Sequence, residues 1–271
     1  MGRQSRATAC SWIHRKLAAC RSEPEASRPV KVNQQSGYIL HRQSYRESSL
    51  LVQIFTRNFG RLTLIAKGCR TKKSQVQGLF LSFKPLLLSW TGKGELPILT
   101  SIEQTGFCPQ LDASRVACGY YINELILKLL HRHDPHAALY DKYDKAVFEL
   151  SDKKNPNTVL RVFEKYLLQE IGFGLVLDHD VESGEPIAAD HRYQYFPQQG
   201  PIATNRQHGN IISGATLIAL QNEEFKSAHD RSQARWLTRL LIDIQLNGKE
   251  LRSRRVMREM KRYQARISDK S

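Results

Sequence analysis

Short apolar runs separated by turn residues dominate residues 37–102 and restrict this part of the chain to a small β-domain. Several of these runs alternate apolar and polar positions, as half-buried strands do, and Asn58 and Gly60 predict a tight turn. Pro85 falls inside the fourth run, where it predicts an edge or a bulge. Five strands in about 70 residues suit a small barrel. The runs occupy residues 38–41, 49–56, 61–66, 81–90 and 96–102.

After residue 106 the apolar spacing becomes that of amphipathic helices. Pro135 and Pro156 stand where two helices are expected to begin, and Gly172 follows the second of them. The polar residues 178–209 are expected to be looped or weakly stranded around residues 193–196, and a basic helix is expected over residues 249–266. The predicted fold class is therefore α+β, with a five-stranded barrel before a mainly helical domain. The expected boundaries are a flexible basic extension at 1–35, the barrel domain at 36–106 and the helical domain at 107–271.

The net charge of +15 is concentrated in particular segments. Residues 48–94 carry eight Lys/Arg and no Asp/Glu, while residues 1–47 and 248–271 each carry nine against three. Residues 95–247 instead carry fifteen Lys/Arg against twenty Asp/Glu. A merely solvated surface interleaves the two signs. This segregation therefore predicts a polyanionic partner such as nucleic acid.

The basic positions of the β-domain are the candidate nucleic-acid contacts. Residues 68–74 form a polar, basic loop between two predicted strands, which suits the tracking of a phosphate backbone. If the barrel forms, we expect the basic side chains to line one continuous face. Phe59, Phe80 and Trp90 are candidates for stacking on unpaired bases, although core packing is the commoner role of such aromatics. The predicted DNA-binding residues are Arg57, Arg61, Lys67, Arg70, Lys72, Lys73, Lys84 and Lys93.

The sequence carries no familiar signature of an enzyme. Glycine-rich phosphate loops, HExxH and GxSxG are missing, so we expect no catalytic residue and no cofactor. His131, His133 and His136 cluster with Asp134, but helical geometry does not hold the three imidazoles on one face, so capping or surface exposure is favoured over a metal site. The five cysteines include no CxxC pair, which fits a reducing cytoplasm. No apolar run approaches the roughly 18 residues of a membrane span.

Several short motifs occur along the chain in a fixed order. They are GYILHR at 37–42, YRESSLL at 45–51, FTRNFGRL at 55–62, IAKG at 65–68, YYINEL at 120–125, LRVFE at 160–164, EIGFG at 170–174 and NGKELRSR at 247–254. Together these motifs resemble the bacterial DNA repair protein RecO (recombination protein O) family over about residues 37–258. Each motif alone is weak, and their ordered combination is what makes the resemblance specific.

The resemblance implies a helical domain with a small irregular inserted subdomain at about residues 176–212, and a non-enzymatic function. The barrel is expected to be an OB-fold, and the protein is expected to bind single- and double-stranded DNA and to anneal complementary single strands. It is also expected to cooperate with RecR in loading RecA onto strands coated by single-strand-binding protein (SSB), in the cytoplasm at the nucleoid. Some members hold zinc with four cysteines in the inserted subdomain, but residues 175–212 contain no cysteine, so no zinc is expected. The segment before Gly37 has no recognised counterpart.

Two further basic groups lie in the helical region. In RecO proteins the SSB tail binds in this domain, and Arg161 matches a basic position of the family motif. Beside Leu160 and Phe163, Arg161 is expected at the rim of an apolar groove, where it suits an acidic peptide with an apolar C-terminal residue. The alternative is a helix-surface ion pair with Glu164. A second DNA contact is possible on the basic C-terminal helix, through Lys249, Arg252, Arg254, Arg255, Arg258, Lys261 and Arg262.

Two other functions stay open from the residues alone. An OB-fold serves RNA as well as DNA, so a ribosome-associated RNA-binding module is one alternative. A metal-dependent nuclease that uses the Asp/His clusters, including Asp178, His179 and Asp180, is the other. Tighter binding to structured RNA than to single-stranded DNA favours the first, and metal-dependent cleavage of DNA favours the second.

Overall fold

The N-terminal part of the chain forms a closed five-stranded barrel. The computed structural model describes residues 31–70, 76–92, 94, 96–152, 154–206 and 208–268. The strands follow the order β1-β2-β3-β5-β4, with β3 and β5 parallel and the other neighbouring pairs antiparallel. This small five-stranded barrel confirms the predicted OB-fold. Its strands are β1 (Lys31–Tyr45), β2 (Ser49–Thr56), β3 (Gly60–Ala66), β4 (Leu86–Thr91) and β5 (Ile98–Gln104), with a 3-10 helix at Gln77–Leu79.

Two details of the barrel differ from the sequence-based expectation. The first strand begins at Lys31, well before residue 37, because its early residues pair with β4 rather than continuing the pattern of the β1–β2 hairpin. Pro85 lies immediately before β4 and so occupies no position in the β4 ladder. Its carbonyl accepts a hydrogen bond from the Thr105 N–H at 2.9 Å. The missing N–H of proline is therefore no obstacle to the sheet.

The barrel interior is apolar, and one outer face is apolar as well. Ile39, Ile54 and Leu64 belong to the interior cluster. On the same strands, Tyr38 and Phe55 belong instead to the core of the helical region. Four consecutive residues of β1, positions 37–40, are buried. A strand buried on both faces loses the alternation of a half-exposed strand, since helices cover its outer side.

The remainder of the chain is mainly helical, and its caps fit the sequence. Asp112 begins α1 by accepting from the N–H groups of Ser114 and Arg115. Asn155 caps α3, which has Pro156 in its first turn. Side-chain oxygens at these positions satisfy N–H groups that have no partner within the helix. The helices are α1 (Ala113–Leu129), α2 (Ala137–Ser151), α3 (Pro156–Glu170), α4 (Gly214–Asn222), α5 (Ala228–Leu246) and α6 (Arg252–Ser268).

The inserted subdomain is more regular than its sequence suggests. A three-stranded antiparallel sheet of order β7-β6-β8 forms from β6 (Arg192–Phe196), β7 (Gly200–Ala203) and β8 (Ile211–Ser213). The buried Asp180 carboxylate holds the preceding loop to this sheet, because it accepts from the N–H groups of Glu182, Ser183 and Ala203 at 2.8, 3.1 and 2.6 Å. Burial alone raises the pKa of Asp180, but these three donors bring it below its usual value.

We expect Asp180→Asn to destabilise the protein by about 2 kcal/mol at pH 7, because an amide nitrogen then faces a backbone donor. The folded-state pKa of Asp180 is lowered, so its stabilisation is present above the unfolded pKa of about 3.9 and is lost as the pH falls through the folded value. In urea denaturation, the difference in the free energy of unfolding between the wild-type protein and Asp180→Asn should become smaller at acid pH. Asp190→Asn, at a carboxylate 88% exposed, is the matched control. Equal effects of both changes at pH 7 would contradict this role of Asp180.

The barrel packs directly against the helical region at the β2–β3 turn. Gly60 has a positive φ of 62°, and its backbone passes so close to Asp134 that a Cβ would lie 2.5 Å from the Asp134 carbonyl carbon. The His133 N–H donates to the Arg61 carbonyl at 2.9 Å. Elsewhere in the interface, Asn123 donates to the Leu40 carbonyl at 3.0 Å. The β2–β3 turn is therefore held against the α1–α2 connection both by close packing and by a hydrogen bond.

Some sequence-based expectations fall outside the part of the chain that the structure describes. These are most of the extension at 1–35 and the basic residues Lys72, Lys73 and Lys93. The division into domains at 36–106 and 107–271 stays a prediction. In the described residues, no helix is long and apolar enough to cross a membrane.

Candidate nucleic-acid interface

The structure divides those predicted DNA-binding residues that it describes into two groups instead of one continuous face. Lys67 and Arg70 follow the end of β3, whereas Arg57 and Arg61 lie at or beside its start. At a rise of about 3.3 Å per residue, the two ends of β3 are about 20 Å apart. The expectation of a single face was wrong for this reason, since strand length places the two groups at opposite ends of the barrel.

Arg70 of the first group lines an open depression at the β3–β4 connection. The depression has a volume of about 620 Å³, and Arg42 and Arg70 are the charged residues among those that line it. The exposed Arg70 is held in place, because its N–H donates to the Ser48 carbonyl at 3.1 Å and its guanidinium to the Arg46 carbonyl at 3.0 Å. Lys84 donates from Nζ to the Gly78 carbonyl at 2.9 Å, beside the same depression.

Two contributors to this group, Arg42 and Arg46, were not among the predicted contacts. Arg42 lies on β1 and is exposed, and the Arg46 guanidinium lies 5.3 Å from the centre of the Tyr45 ring. Both precede the acid-free stretch, and Glu47 directly follows Arg46, so counting charge by segment hid them. The strand pairing brings β1 beside β2 and so places both arginines near the basic loop.

The second group is engaged with the helical region. Arg57 forms a bidentate ion pair with Asp141, at 3.0 and 3.1 Å, which raises the pKa of Arg57 and lowers that of Asp141. The Arg61 Nε is buried without a hydrogen-bond partner, and burial together with the charge of Arg132 lowers its pKa. Arg57 and Arg61 therefore contribute to the packing of the barrel against the helices.

The three candidate stacking aromatics separate in the same way. Phe80 and Trp90 are 2% and 4% exposed and belong to the barrel core. Phe59 is 37% exposed and meets Trp90 edge-on, with the ring centres 5.2 Å apart. Only Phe59 of these three leaves a substantial ring surface for an unpaired base.

Arg161 lies deeper than the expected groove rim. Its side chain is 2% exposed, and it donates to the fully buried Glu164 at 2.6 Å and to Thr238 at 3.2 Å. Tyr121 and Thr238 also donate to Glu164, each at 2.5 Å. The alternative of an ion pair with Glu164 is confirmed, but the pair is buried rather than at the surface.

A small groove of about 200 Å³ nevertheless runs past Arg161, between α1, α3, α5 and α6. Leu160 and Met257 supply apolar wall, and Arg235 and Arg239 also line the groove. The Arg239 Nε is buried without a partner, and burial and then the charge of Arg235 lower its pKa to about 10. Several guanidinium groups crowded together favour an anion beside them.

The basic C-terminal helix is anchored to α1 by one carboxylate. Glu124 accepts from the N–H groups of Arg252 and Ser253 and from the Ser253 hydroxyl, at 3.0, 2.8 and 2.6 Å. Burial alone raises the pKa of Glu124, but these donors lower it, so the group stays ionised at the positive end of the helix dipole. Arg255, Arg258 and Arg262 remain exposed on α6. The Lys261 side chain lies outside the part of the chain that the structure describes.

The histidine cluster has ordinary polar contacts. His136 lies 3.0 Å from Glu170 through Nδ1 and 3.4 Å from Asp134 through Nε2. His179 lies 2.8 Å from Asp178. Among the residues with described positions, no three His, Cys, Asp or Glu side chains come together in a way that could hold a metal ion.

Comparison with known proteins gives a consistent result over nearly the whole described chain. Family models for the N-terminal and C-terminal parts of recombination protein O match residues 31–107 and 110–255. The chain is similar to the DNA repair protein RecO of Azoarcus sp. (strain BH72), with 41% identity, and of Dechloromonas aromatica (strain RCB), with 40%. Each alignment covers 235 residues, which is 85% of this chain and 97% of the relative.

Proposed function

Because this chain belongs to the recombination protein O family, and so has a role in DNA repair and recombination, we propose that it binds single- and double-stranded DNA and anneals complementary single strands. The basic depression at the β3–β4 connection carries this proposal. Arg42 and Arg70 line it without any carboxylate among the described lining residues, and Lys84 adds a third positive charge nearby. Annealing brings two polyanions together, which requires neutralisation of phosphate charge rather than a catalytic group.

The proposed reaction is non-enzymatic and needs no cofactor. Lys72 and Lys73 belong to the same loop as Arg70 in the sequence, and we assign them to the DNA contact together with Lys67 and Lys93. In this proposal RecR cooperates with the protein to load RecA onto single strands coated by SSB, in the cytoplasm at the nucleoid. The resemblance to the family supports these partners. The two engaged arginines, Arg57 and Arg61, are left out of the proposed DNA contact.

The groove beside Arg161 is the proposed binding site of the SSB tail. An acidic peptide that ends in an apolar residue requires an apolar pocket and nearby cations. Leu160 and Met257 offer the first, and Arg235 and Arg239 offer the second. Arg161 contributes to this site by position, since Glu164 already accepts its strongest hydrogen bond. The proposal therefore shifts the direct contact with peptide carboxylates to Arg235 and Arg239.

The experiment for DNA binding is a charge reversal at the depression. We expect Arg42→Glu together with Arg70→Glu to weaken binding of a single-stranded oligonucleotide by about 10- to 100-fold at moderate salt. The slope of the logarithm of the association constant against log salt should become less negative by about 1.4, because two phosphate contacts are lost. Fluorescence anisotropy over a salt series measures both quantities. Annealing of SSB-coated complementary strands should slow in parallel.

The matched control reverses two exposed basic residues outside the barrel, Arg206 and Lys226. It imposes the same change in net charge without touching the depression. If both double variants weaken DNA binding equally, only overall charge matters and the depression is not the site. If the wild-type protein fails to accelerate annealing of SSB-coated strands, the annealing function itself is rejected.

A further inference from the structure

A second, larger groove lies beside the first along α1 and α6 and is not used by the proposed function. It has a volume of about 600 Å³ and is bounded by β1, β2, α1 and α6. Two of its apolar residues are unusually exposed, Tyr120 at 50% and Val256 at 46%. Its apolar walls consist of Leu40, Val116, Tyr120, Leu127, Val256 and Met260. An exposed apolar groove rimmed by polar residues is typical of an interaction site.

The charged residues around this groove are mainly positive. Lys128 and Arg252 line it, and both are exposed. Glu124 is the one carboxylate among the described lining residues, and both of its oxygens already accept hydrogen bonds from the start of α6. Two cations against one ionised carboxylate leave the rim with a net charge of +1 (2 − 1), above an apolar floor. A complementary ligand combines apolar side chains with negative charge.

Charge argues against two occupants that the chain itself could supply. The segment at residues 1–30 carries six Lys/Arg and two Glu, so its charge has the same sign as the rim. A second copy carries the same net charge of +15. In a symmetric dimer through this groove, Lys128 and Arg252 of both copies would converge, because the same patch meets itself. Like charges placed together in an interface are unfavourable.

We propose that this groove binds an acidic amphipathic segment of a partner protein, with apolar residues on the floor and Asp or Glu side chains against Lys128 and Arg252. A helix that presents apolar residues at positions i, i+3, i+4 and i+7 meets these requirements. This site adjoins the groove beside Arg161, because Ala117 and Met260 line both. It differs from that groove in its barrel side, since Leu40, His41 and Gln53 line it alone.

The experiment measures binding of the full chain to a fluorescein-labelled 18-residue peptide. The peptide carries leucine at the positions i, i+3, i+4 and i+7 of each repeat and glutamate at the flanking positions. A scrambled peptide of the same composition is the reference. We expect the patterned peptide to bind at least about tenfold more tightly than the scrambled one. Tyr120→Ser with Val256→Ser should remove this preference. Equal binding of the two peptides to the wild-type protein would overturn the proposal.

Charge reversal tests the rim. The double variant Lys128→Glu, Arg252→Glu should bind the acidic peptide about tenfold more weakly than the wild-type protein does. It should bind a peptide in which lysine replaces glutamate more tightly than the wild-type protein does. The gain of the lysine peptide cannot come from an unfolded variant. Arg255→Glu with Arg262→Glu, on exposed positions of the same helix, is the matched control. Equal losses in both double variants would reduce the effect to net charge and overturn the proposal.

Nucleic acid is the competing macromolecule. A saturating thymidine oligonucleotide should leave the peptide bound. The comparison is repeated in the Arg42→Glu, Arg70→Glu variant, in which the proposed DNA site is impaired. Displacement of the peptide that persists in this variant would assign the groove to nucleic acid. Failure of DNA binding at the depression leaves the peptide result unaffected, so the two proposals are tested separately.

Discussion

Replacement of Gly60 by alanine is expected to lower the free energy of unfolding by about 3 to 4 kcal/mol, although only one methyl group is added. Gly60 adopts a positive φ of 62°, which favours glycine, and the new Cβ would lie 2.5 Å from the Asp134 carbonyl carbon. The Asp134 backbone cannot rotate away from this Cβ as a flexible side chain could. The β2–β3 turn must therefore move off the α1–α2 connection, with loss of the hydrogen bond from the His133 N–H to the Arg61 carbonyl.

Gly68 provides a control with nearly the same backbone. Its φ is 67°, and no atom lies within 4 Å of a Cβ added there. Gly68→Ala should therefore cost only about 1 kcal/mol, the conformational share of the effect. Urea denaturation of both variants separates steric fit from backbone strain. A similar loss at the two glycines would show that contact with Asp134 contributes nothing.

The second large effect is expected at the buried ion pair. Arg161→Met should destabilise the protein by about 3 to 5 kcal/mol, because it leaves the Glu164 carboxylate buried without its cation. Glu164 is 0% exposed, so water cannot replace the lost partner. The double variant Arg161→Met, Glu164→Gln should recover at least about half of that loss, since a neutral amide needs no counter-charge. Thermal and urea denaturation measure the three variants. No recovery in the double variant would contradict this explanation.

The same ion pair changes how the proposed tail-binding groove must be tested. A loss of SSB-tail binding in an Arg161 variant would reflect the damaged core as much as a missing contact. Arg239→Gln avoids this problem, because Arg239 has an unpartnered Nε and lies among like charges. Removal of one positive charge from such a cluster relieves repulsion. We expect little change in stability and a marked loss of tail-peptide affinity.

The architecture could be predicted from the sequence because its signals are local. Turn residues such as Asn58 and Gly60, and Pro156 at the start of a helix, act on their immediate neighbours. The OB-fold, the helical region and the family were all confirmed. The three-stranded order of the insert was missed, because Asp180 reaches Ala203 across 23 residues and no short pattern records that contact.

The candidate site was harder to predict, since it depends on which strand ends meet. Arg57 and Arg61 count as basic residues in the sequence. In the fold, however, Arg57 pairs with Asp141, and Arg61 contacts the α1–α2 connection. Arg42 was overlooked because it precedes the acid-free stretch. The buried Arg161 donates a hydrogen bond to Thr238, which lies 77 positions away in the sequence. A charge count along the chain cannot register such pairings.

The placement of β3 has a mechanical consequence. Its end at Ala66 leads into the proposed DNA-binding depression, and its start at Gly60 is held against the helical region. Seven residue pairs join β3 to β2 along the whole length of the strand. Tension on a bound strand of DNA would act along β3, so these hydrogen bonds would be loaded together in shear instead of opening one after another. A pull on DNA bound at the proposed site would thereby be transmitted to the helices without unzipping the barrel.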